Sequence, residues 1–421
     1  MDARTFIRQT PYLAWVLLYC AVTWGVFGVM LGLVAPSLRA QWQLDYHAVG
    51  GLMAVSAAAS VLGSLLGGHA ATRFSTRGLF LAYGLTTLLM LALVATAKRY
   101  EVLVAAFALV ALCETALFTL GHGVLAQTST QAELRTRMLG LVDVGFSLGT
   151  LLAPLWVAVW LMADTAWQTP YVAFLALVLV LCLLLWPKGA YRGLELHTEA
   201  AATRPPIDLM ATTALPLARA VPLGYGGLLR QAHCRLGLLA AGLVGFVEWG
   251  QNQWLVSLAH NGLQWPQSVA RVAVFALMLG MLLGRVWQSF APSRWTLSTK
   301  IQRLAGLCLG ALVVQSLAGA ASLWWPAATA LSQAVFVLAS LGVGLGVSVG
   351  FPILLGTLVH TAPTEASRLS ALVMIATALG ATASAQVVGR LADHWGMPLA
   401  FSVLLLAAAG YRLSLAKLYR H

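Results

Sequence analysis

The chain has 421 residues, of which 60% are hydrophobic and only 9% charged, with a formal net charge of +12 and a mean hydropathy of +0.84. A soluble globular chain carries about a quarter charged residues, so a water-soluble enzyme is excluded as a class. The apolar residues instead form runs near the ~20 residues that cross a hydrocarbon core of about 30 Å, which predicts an all-α polytopic membrane protein.

Twelve candidate spans follow in chain order, near 11–38, 48–68, 79–97, 102–127, 138–161, 171–187, 236–259, 268–290, 303–323, 327–358, 369–388 and 399–415. Arg4 and Arg8 precede the first run, which is too long for the apolar core of a cleaved signal and is expected to stay as the first helix. The ninth and tenth spans are split at Trp324-Trp325-Pro326, because the combined run is too long for one helix. The longest polar stretch, 188–235, carries Lys188, Glu195, Arg204-Pro-Pro206 and Asp208. It separates a first six-helix half (1–187) from a second (236–421) as a linker. The other loops are short, so neighbouring helices pack as antiparallel hairpins, and no loop can hold a soluble catalytic domain.

Placement accounts for the basic excess. With both termini inside, most of the 25 basic residues fall on the cytoplasmic side, among them Arg73, Arg77, Arg137, Arg204, Arg230, Lys300, Arg303, Arg368 and Arg412. Arg39, Lys98, Arg99, Arg271 and Arg390 fall outside. This is the positive-inside pattern of a multi-pass protein; it needs no nucleic-acid partner and points to an inner (plasma) membrane of bacterial type. Cys20, Cys113, Cys182 and Cys308 lie in spans and Cys234 in the linker, without metal-ligand spacing, and are read as small packing residues. No Walker pattern, His-Glu-x-x-His or Cys-x-x-Cys occurs, so neither an enzyme nor a cofactor is expected.

The chain is also built twice. Val61-Leu-Gly-Ser-Leu-Leu-Gly-Gly68 returns as Met278-Leu-Gly-Met-Leu-Leu-Gly-Arg285, and the same offset pairs Gly25 with Gly242 and Gly28 with Gly245. A second match pairs Arg137-Met-Leu-Gly-Leu-Val-Asp143 with Arg368-Leu-Ser-Ala-Leu-Val-Met374 and continues to Gly149 and Gly380. Doubled membrane chains point to transporters. Small residues let helices approach closely in lipid, so equivalent glycines are expected to meet equivalent neighbours.

Twelve spans, the six-plus-six division, the central linker and the doubled Gly-rich second helix resemble the major facilitator superfamily over essentially the whole chain. That family's loop 2–3 signature, G-x-L-A-D-[RK]-x-G-R-[RK], reads here Gly68-His-Ala-Ala-Thr72-Arg73-Phe-Ser75-Thr-Arg77, with the acid and inner glycine replaced. A fuller match, Gly389-Arg-Leu-Ala-Asp393-His-Trp-Gly396, stands between the last two spans and is read as a turn whose Asp393 caps a helix. Leu112-Cys-Glu114-Thr-Ala116, Gly245-Phe-Val-Glu248-Trp249 and Gly284-Arg285 are similar to the fucose permease-like sugar symporters, although the first-helix acid of that group is missing. Gly140, Gly149 and Pro154 fit part of an antiporter signature on the fifth helix, which leaves export open.

An ionised side chain at a helix centre costs about +2.5 to +3.5 kcal/mol on insertion scales, so ionisable residues within spans mark candidate sites. Glu114 and Glu248 fall near the midplane; Glu248, Gln251 and Asn252 share a helical face, flanked by Trp249, with Trp24 at a related level of the first helix. These six residues are the expected substrate-binding or proton-coupling set, while His122 reads as a packing residue. Asp143 and Arg285 both lie toward the cytoplasm on helices five and eight, and are expected to form a gate between the halves with Arg73 and Arg77. The sequence therefore predicts a monomeric secondary transporter of a small solute, working by alternating access with protons as the coupling ion. Sodium coupling, a proton-driven exporter of drugs or metabolites such as siderophores, and a receptor without flux are the alternatives. The solute itself is not legible.

Overall fold

The computed structural model describes residues 12–70, 74–128, 132–161, 165–188, 224–290, 296–361 and 366–419. Twelve helices follow in order: α1 Tyr12–Trp42, α2 Tyr46–Ala70, α3 Thr76–Thr96, α4 Tyr100–Thr128, α5 Ala132–Trp160 and α6 Thr169–Leu185 in the first half. In the second half, a short helix at Gly224–Arg230 precedes α7 Ala232–Ser257, α8 Gln267–Phe290, α9 Leu297–Trp324 and the two-part α10, Thr329–Val347 and Gly350–Thr361. Then come α11 Ala366–Trp395, a single turn Met397–Phe401 and α12 Val403–Leu418. Among the described residues, nine helical stretches are long and apolar enough to cross a bilayer, and Val144–Trp160 and α6 are shorter apolar helices. α7 is not among them, because Glu248, Gln251, Asn252 and Gln253 dilute its apolar character.

Local chemistry sets the boundaries. The Ser75 hydroxyl accepts from the Gly78 N–H at 3.3 Å and Thr296 from the Thr299 N–H at 3.3 Å, so α3 and α9 start on capping side chains. Pro326 closes the reversal between α9 and α10, where the Trp-Trp-Pro stretch predicts a division. α10 is interrupted at Ser348–Val349 within the one span that hydropathy predicts. Pro352 explains the break: it lacks the N–H that would meet the Ser348 carbonyl, and its ring crowds that same carbonyl. α7 begins at Ala232, a turn earlier than its apolar run suggests, so Cys234 is a buried helix residue rather than part of the linker. All five cysteines are free and buried.

Glycine contacts organise each half in the same way. A Cβ on Gly25 would strike the Phe146 carbonyl of α5, and one on Gly149 the Val22 carbonyl of α1. In the second half, Gly245 lies on the Thr377 carbonyl of α11 and Gly380 on the Gly242 carbonyl of α7. Likewise Gly63 and Gly67 of α2 press on Leu112 and Ala116 of α4, while Gly280 of α8 presses on Leu341 of α10 and Gly344 on Leu277. The repeats of the sequence thus become the same helix pairs, α1–α5 with α7–α11 and α2–α4 with α8–α10.

The start of α1 and the end of α6 share one face, where the Tyr12 hydroxyl donates to the Leu184 carbonyl at 3.1 Å. This is termed the terminal face, and the α1–α2 turn lies on the far face. Between halves, α2 packs on α11, α5 on α8 and α1 on α7.

Gly280 carries a direct prediction. Gly280→Val overpacks a backbone contact, so thermal unfolding in detergent should report a loss of about 1–3 kcal/mol. Gly310→Val, where no atom lies within 4 Å of the position a Cβ would take, should stay within about 0.5 kcal/mol. Equal effects at both positions would show that close approach at Gly280 does not hold α8 on α10.

Candidate functional site

Glu248, near the middle of α7, and Arg285, late in α8, sit where the two halves meet. The Arg285 Nη2 is 4.0 Å from the Glu248 Oε1, and their side chains are 34% and 17% exposed. Nη1 of the same guanidinium donates to the Ser147 hydroxyl of α5 at 2.8 Å. One cation therefore ties α8 to α7 in its own half and to α5 in the other. The ion pair is long, so a small displacement separates it, while a lone charge at this depth is costly. Asp143, the expected partner of Arg285, has a side chain outside the described residues, as does Arg73.

The rest of the α7 set divides by direction. Gln251 is fully buried and donates from Nε2 to Gln315 Oε1 of α9 at 2.8 Å, and Gln315 Nε2 donates to the Ser340 hydroxyl of α10 at 2.8 Å. This chain knits α7, α9 and α10 inside the second half, so Gln251 is turned away from the boundary that Glu248 faces. Asn252 points elsewhere: its backbone carbonyl presses on Gly32 of α1, and its Oδ1 is buried without a hydrogen-bond partner. Gln253 Oε1 and the Trp254 indole N–H are likewise buried and unpartnered. Trp249 is half-buried.

In the first half, Glu114 is 3% exposed with Oε2 unpartnered, within electrostatic reach of the Cys20 thiol on α1. It lies inside the bundle, apart from the Glu248–Arg285 pair. Trp24 packs between Phe118 and Phe146, with ring centroids 4.3 and 4.4 Å away, joining α1, α4 and α5 by an aromatic stack. His122 stacks on Phe118 at 4.1 Å and faces the Phe118 carbonyl through Nδ1 at 3.0 Å, as a packing residue does. Arg77 donates from Nη2 to the Trp186 carbonyl at 2.8 Å, capping the end of α6 within its own half.

On the far face, sequence reasoning found a residue but not its partner. Asp393, at the end of α11, accepts from the Tyr46 N–H at 2.8 Å and from the His47 N–H at 2.7 Å. Asp45 takes the next donor, the Ala48 N–H, at 2.6 Å. The helix that Asp393 caps is therefore α2 of the opposite half, and its carboxylate meets the positive end of that helix. Around it, Gly50 lies on the Ala385 carbonyl, Gly389 on the Tyr46 carbonyl, and Trp254 stacks edge-on against Tyr46 at 6.1 Å. Further along, Arg271 Nη2 donates to the Leu161 carbonyl at 3.2 Å. Gly396, at φ +79°, makes the tight reversal that follows, a conformation glycine adopts freely. These contacts hold the halves together from mid-depth to the far face.

Two six-helix halves of matching internal packing, meeting through α1–α7, α2–α11 and α5–α8, agree with a family profile described as Major Facilitator Superfamily, which matches residues 15–385. The chain belongs to that superfamily. It is a membrane transporter by family, with helices built for a bilayer and a small-molecule solute as cargo. Among solved structures, this facilitator chain is similar to the nucleoside transporter NupG, at a TM-score of 0.73 and 13% identity over 97% of this chain and 100% of that one. It is also similar to a bacterial homologue of the human lysosomal transporter Spinster in an inward-facing, unoccupied conformation, at a TM-score of 0.62 and 15% identity over 97% and 98% of the two chains. At such identities the likeness concerns the fold alone. No curated protein matches the chain by sequence.

The amide network gives a test that separates structure from transport. Gln315→Leu leaves the buried Gln251 amide without its partner and should cost about 1–3 kcal/mol of stability. Adding Gln251→Leu should recover much of the loss, because both polar groups then leave together. An additive double variant would show that the two amides do not stabilise each other.

Proposed function

We propose that the chain is a proton-coupled secondary transporter whose halves rock about a midplane site bounded by Glu248, Asn252, Trp249 and Arg285. The observation that carries this reading is the Arg285 guanidinium, shared between Glu248 of its own half and Ser147 of the other. Rocking that parts α5 from α8 moves Arg285 against its partners. A Glu248 carboxylate that loses its cation in a low-dielectric site gains by taking up a proton, which links protonation to the change of state. Glu114, buried with an unpartnered oxygen, supplies a second carboxyl whose ionisation depends on access of water.

The far-face contacts are consistent with one closed state of such a cycle. With both termini cytoplasmic, as the charge distribution favours, the contacts around Asp393 close the outside of a bacterial inner-membrane transporter, and opening outward breaks the cap on α2. The solute is small and polar, since the helix face beside Glu248 offers the Asn252 amide and an indole ring. Nucleosides enter the candidate panel through the fold shared with NupG, and sugars through the fucose permease-like residues at 114, 248 and 285. The monomer suffices, because both halves of the site come from one chain.

Reconstituted protein tests this reading with a panel of nucleosides, sugars, carboxylates, siderophores and cationic drugs. Glu248→Gln should lose pH-gradient-driven accumulation of the active solute by at least about tenfold while retaining counterflow. Accumulation at wild-type level would remove Glu248 from proton coupling, and binding without any counterflow would identify a receptor instead of a transporter.

Asp393→Ala should loosen the far face, since losing a helix cap costs about 0.5–2 kcal/mol. Thiol labelling of a Gln386→Cys reporter, at the α2–α11 contact, should accelerate roughly 2- to 30-fold in the Asp393→Ala background. An unchanged labelling rate would show that the cap does not hold the closed face.

A further inference from the structure

Gly28, near the middle of α1, has no neighbour to make room for. No atom lies within 4 Å of the position a Cβ on it would take. Among the described glycines, Gly226, Gly310 and Gly356 share that property, and all three are exposed on the surface, whereas Gly28 is half-buried. The face of α1 that carries it points inward. Ala21 and Gly25, at i−7 and i−3, lie against Gly145 and Phe146 of α5. Trp24, at i−4, packs between Phe118 of α4 and Phe146, and Gly32, at i+4, lies on the Asn252 carbonyl of α7. The opening is therefore between the halves and not against lipid. A glycine in a helix interior weakens the helix, and here it serves no close approach, so the open space is what it provides.

The packing of the two halves identifies what stands across that space. Gly149 meets the Val22 carbonyl as Gly380 meets the Gly242 carbonyl, and Gly25 meets the Phe146 carbonyl as Gly245 meets the Thr377 carbonyl. In space, Val22 thus matches Gly242 and Gly25 matches Gly245, three residues beyond the offset of the α2–α8 repeat. Gly28 then matches Glu248, and Gly32 matches Asn252. Gly32 and Asn252 also touch, and a residue that touches its own counterpart lies on the axis relating the halves. Gly28 and Glu248 each stand one turn from that contact, about 6 Å along their helices at about 1.5 Å per residue, on opposite sides of the axis. The first half has an empty place where the second has its carboxylate. Asn252 adds a buried amide oxygen without a hydrogen-bond partner.

We propose that Gly28 sets the size of the solute: the space over it receives the body of a hydrogen-bond-donating solute, which Glu248 holds from the other side. The proposal rests on the transport reading above and gives the site its wall in the first half. A leucine at this position would fill the space, and an alanine only part of it.

Three variants at Gly28 test this in the full chain. Gly28→Leu should melt within about 2 °C of wild type in detergent, because the space accepts the side chain; a larger drop would show a packed position and overturn the proposal. Trimethylammonioethyl methanethiosulfonate, which reacts from water, should label Gly28→Cys at least about tenfold faster than wild type, whose five cysteines are buried. Labelling no faster than wild type would overturn the proposal as well. A bifunctional methanethiosulfonate should join Gly28→Cys to Glu248→Cys within one chain, and absence of that cross-link would overturn the placement of Glu248 opposite Gly28. Among uridine, L-fucose and the rest of the panel, each solute that wild type exchanges should move at least about tenfold more slowly in Gly28→Leu, with Gly28→Ala between the two. Fast labelling with exchange unaffected by Gly28→Leu would overturn the size-setting role alone, whereas a wild type that exchanges no solute would overturn the transport reading and this role with it.

Discussion

Close backbone approach at glycines is the constraint on which the rest of this structure depends. In a bilayer the hydrophobic effect does not drive one helix against another, so association rests on packing and on polar contacts between helices. Gly25 and Gly149 seat α1 on α5, and Gly280 and Gly344 seat α8 on α10, with backbone against backbone. Contacts of this kind do not stretch gradually. They make each half stiff, and at Gly32, Gly50 and Gly389 they also lock the boundary between halves, which must release them for the chain to change shape.

The boundary is where the two repeats differ. Arg285 closes the repeated segment of α8 where its counterpart in α2 is Gly68, and Glu248 stands where the offset places Leu31. The charges therefore have no symmetric copies, and they meet at the boundary with Ser147 completing the contact from the other half. Asp393 is a further departure. Its signature stretch matches the family's loop 2–3 motif better than the loop 2–3 segment itself, and it caps α2 across the boundary on the opposite face. A motif that reads as a local turn thus fastens the two halves, through the unpaired N–H groups that every helix presents at its start.

Much of the fold was legible because it is periodic. Apolar runs repeat within a few residues and gave the twelve helices, and the glycine spacing indicated that the halves match. The pairing itself differs from the expected hairpins of sequence neighbours, since α1 seats on α5 and α2 on α4. The break in α10 was missed because hydropathy counts apolar atoms and does not register the missing N–H of Pro352. The site was legible in part. Glu248 and Arg285 stood out as charges within apolar spans, but their contact joins different helices and no local pattern announces it. Gln251 was assigned to the same face as Glu248, yet its amide pairs with Gln315, 64 residues away. A lone amide in the apolar α9 was the available signal for that partner. Ser147, four residues after Asp143 on α5, was the comparable signal for the Arg285 contact, and its small hydroxyl gave it little weight.

Halves that move as stiff bodies must open one face as they close the other. Double electron–electron resonance tests it with two pairs of spin labels on exposed positions, Lys98 with Trp325 across the far face and Phe74 with Arg230 across the terminal face. Two populations are expected at each face, with the fraction that is long at the far face equal to the fraction that is short at the terminal face. Distances that lengthen together at both faces, or a single unchanging population at both, would contradict it.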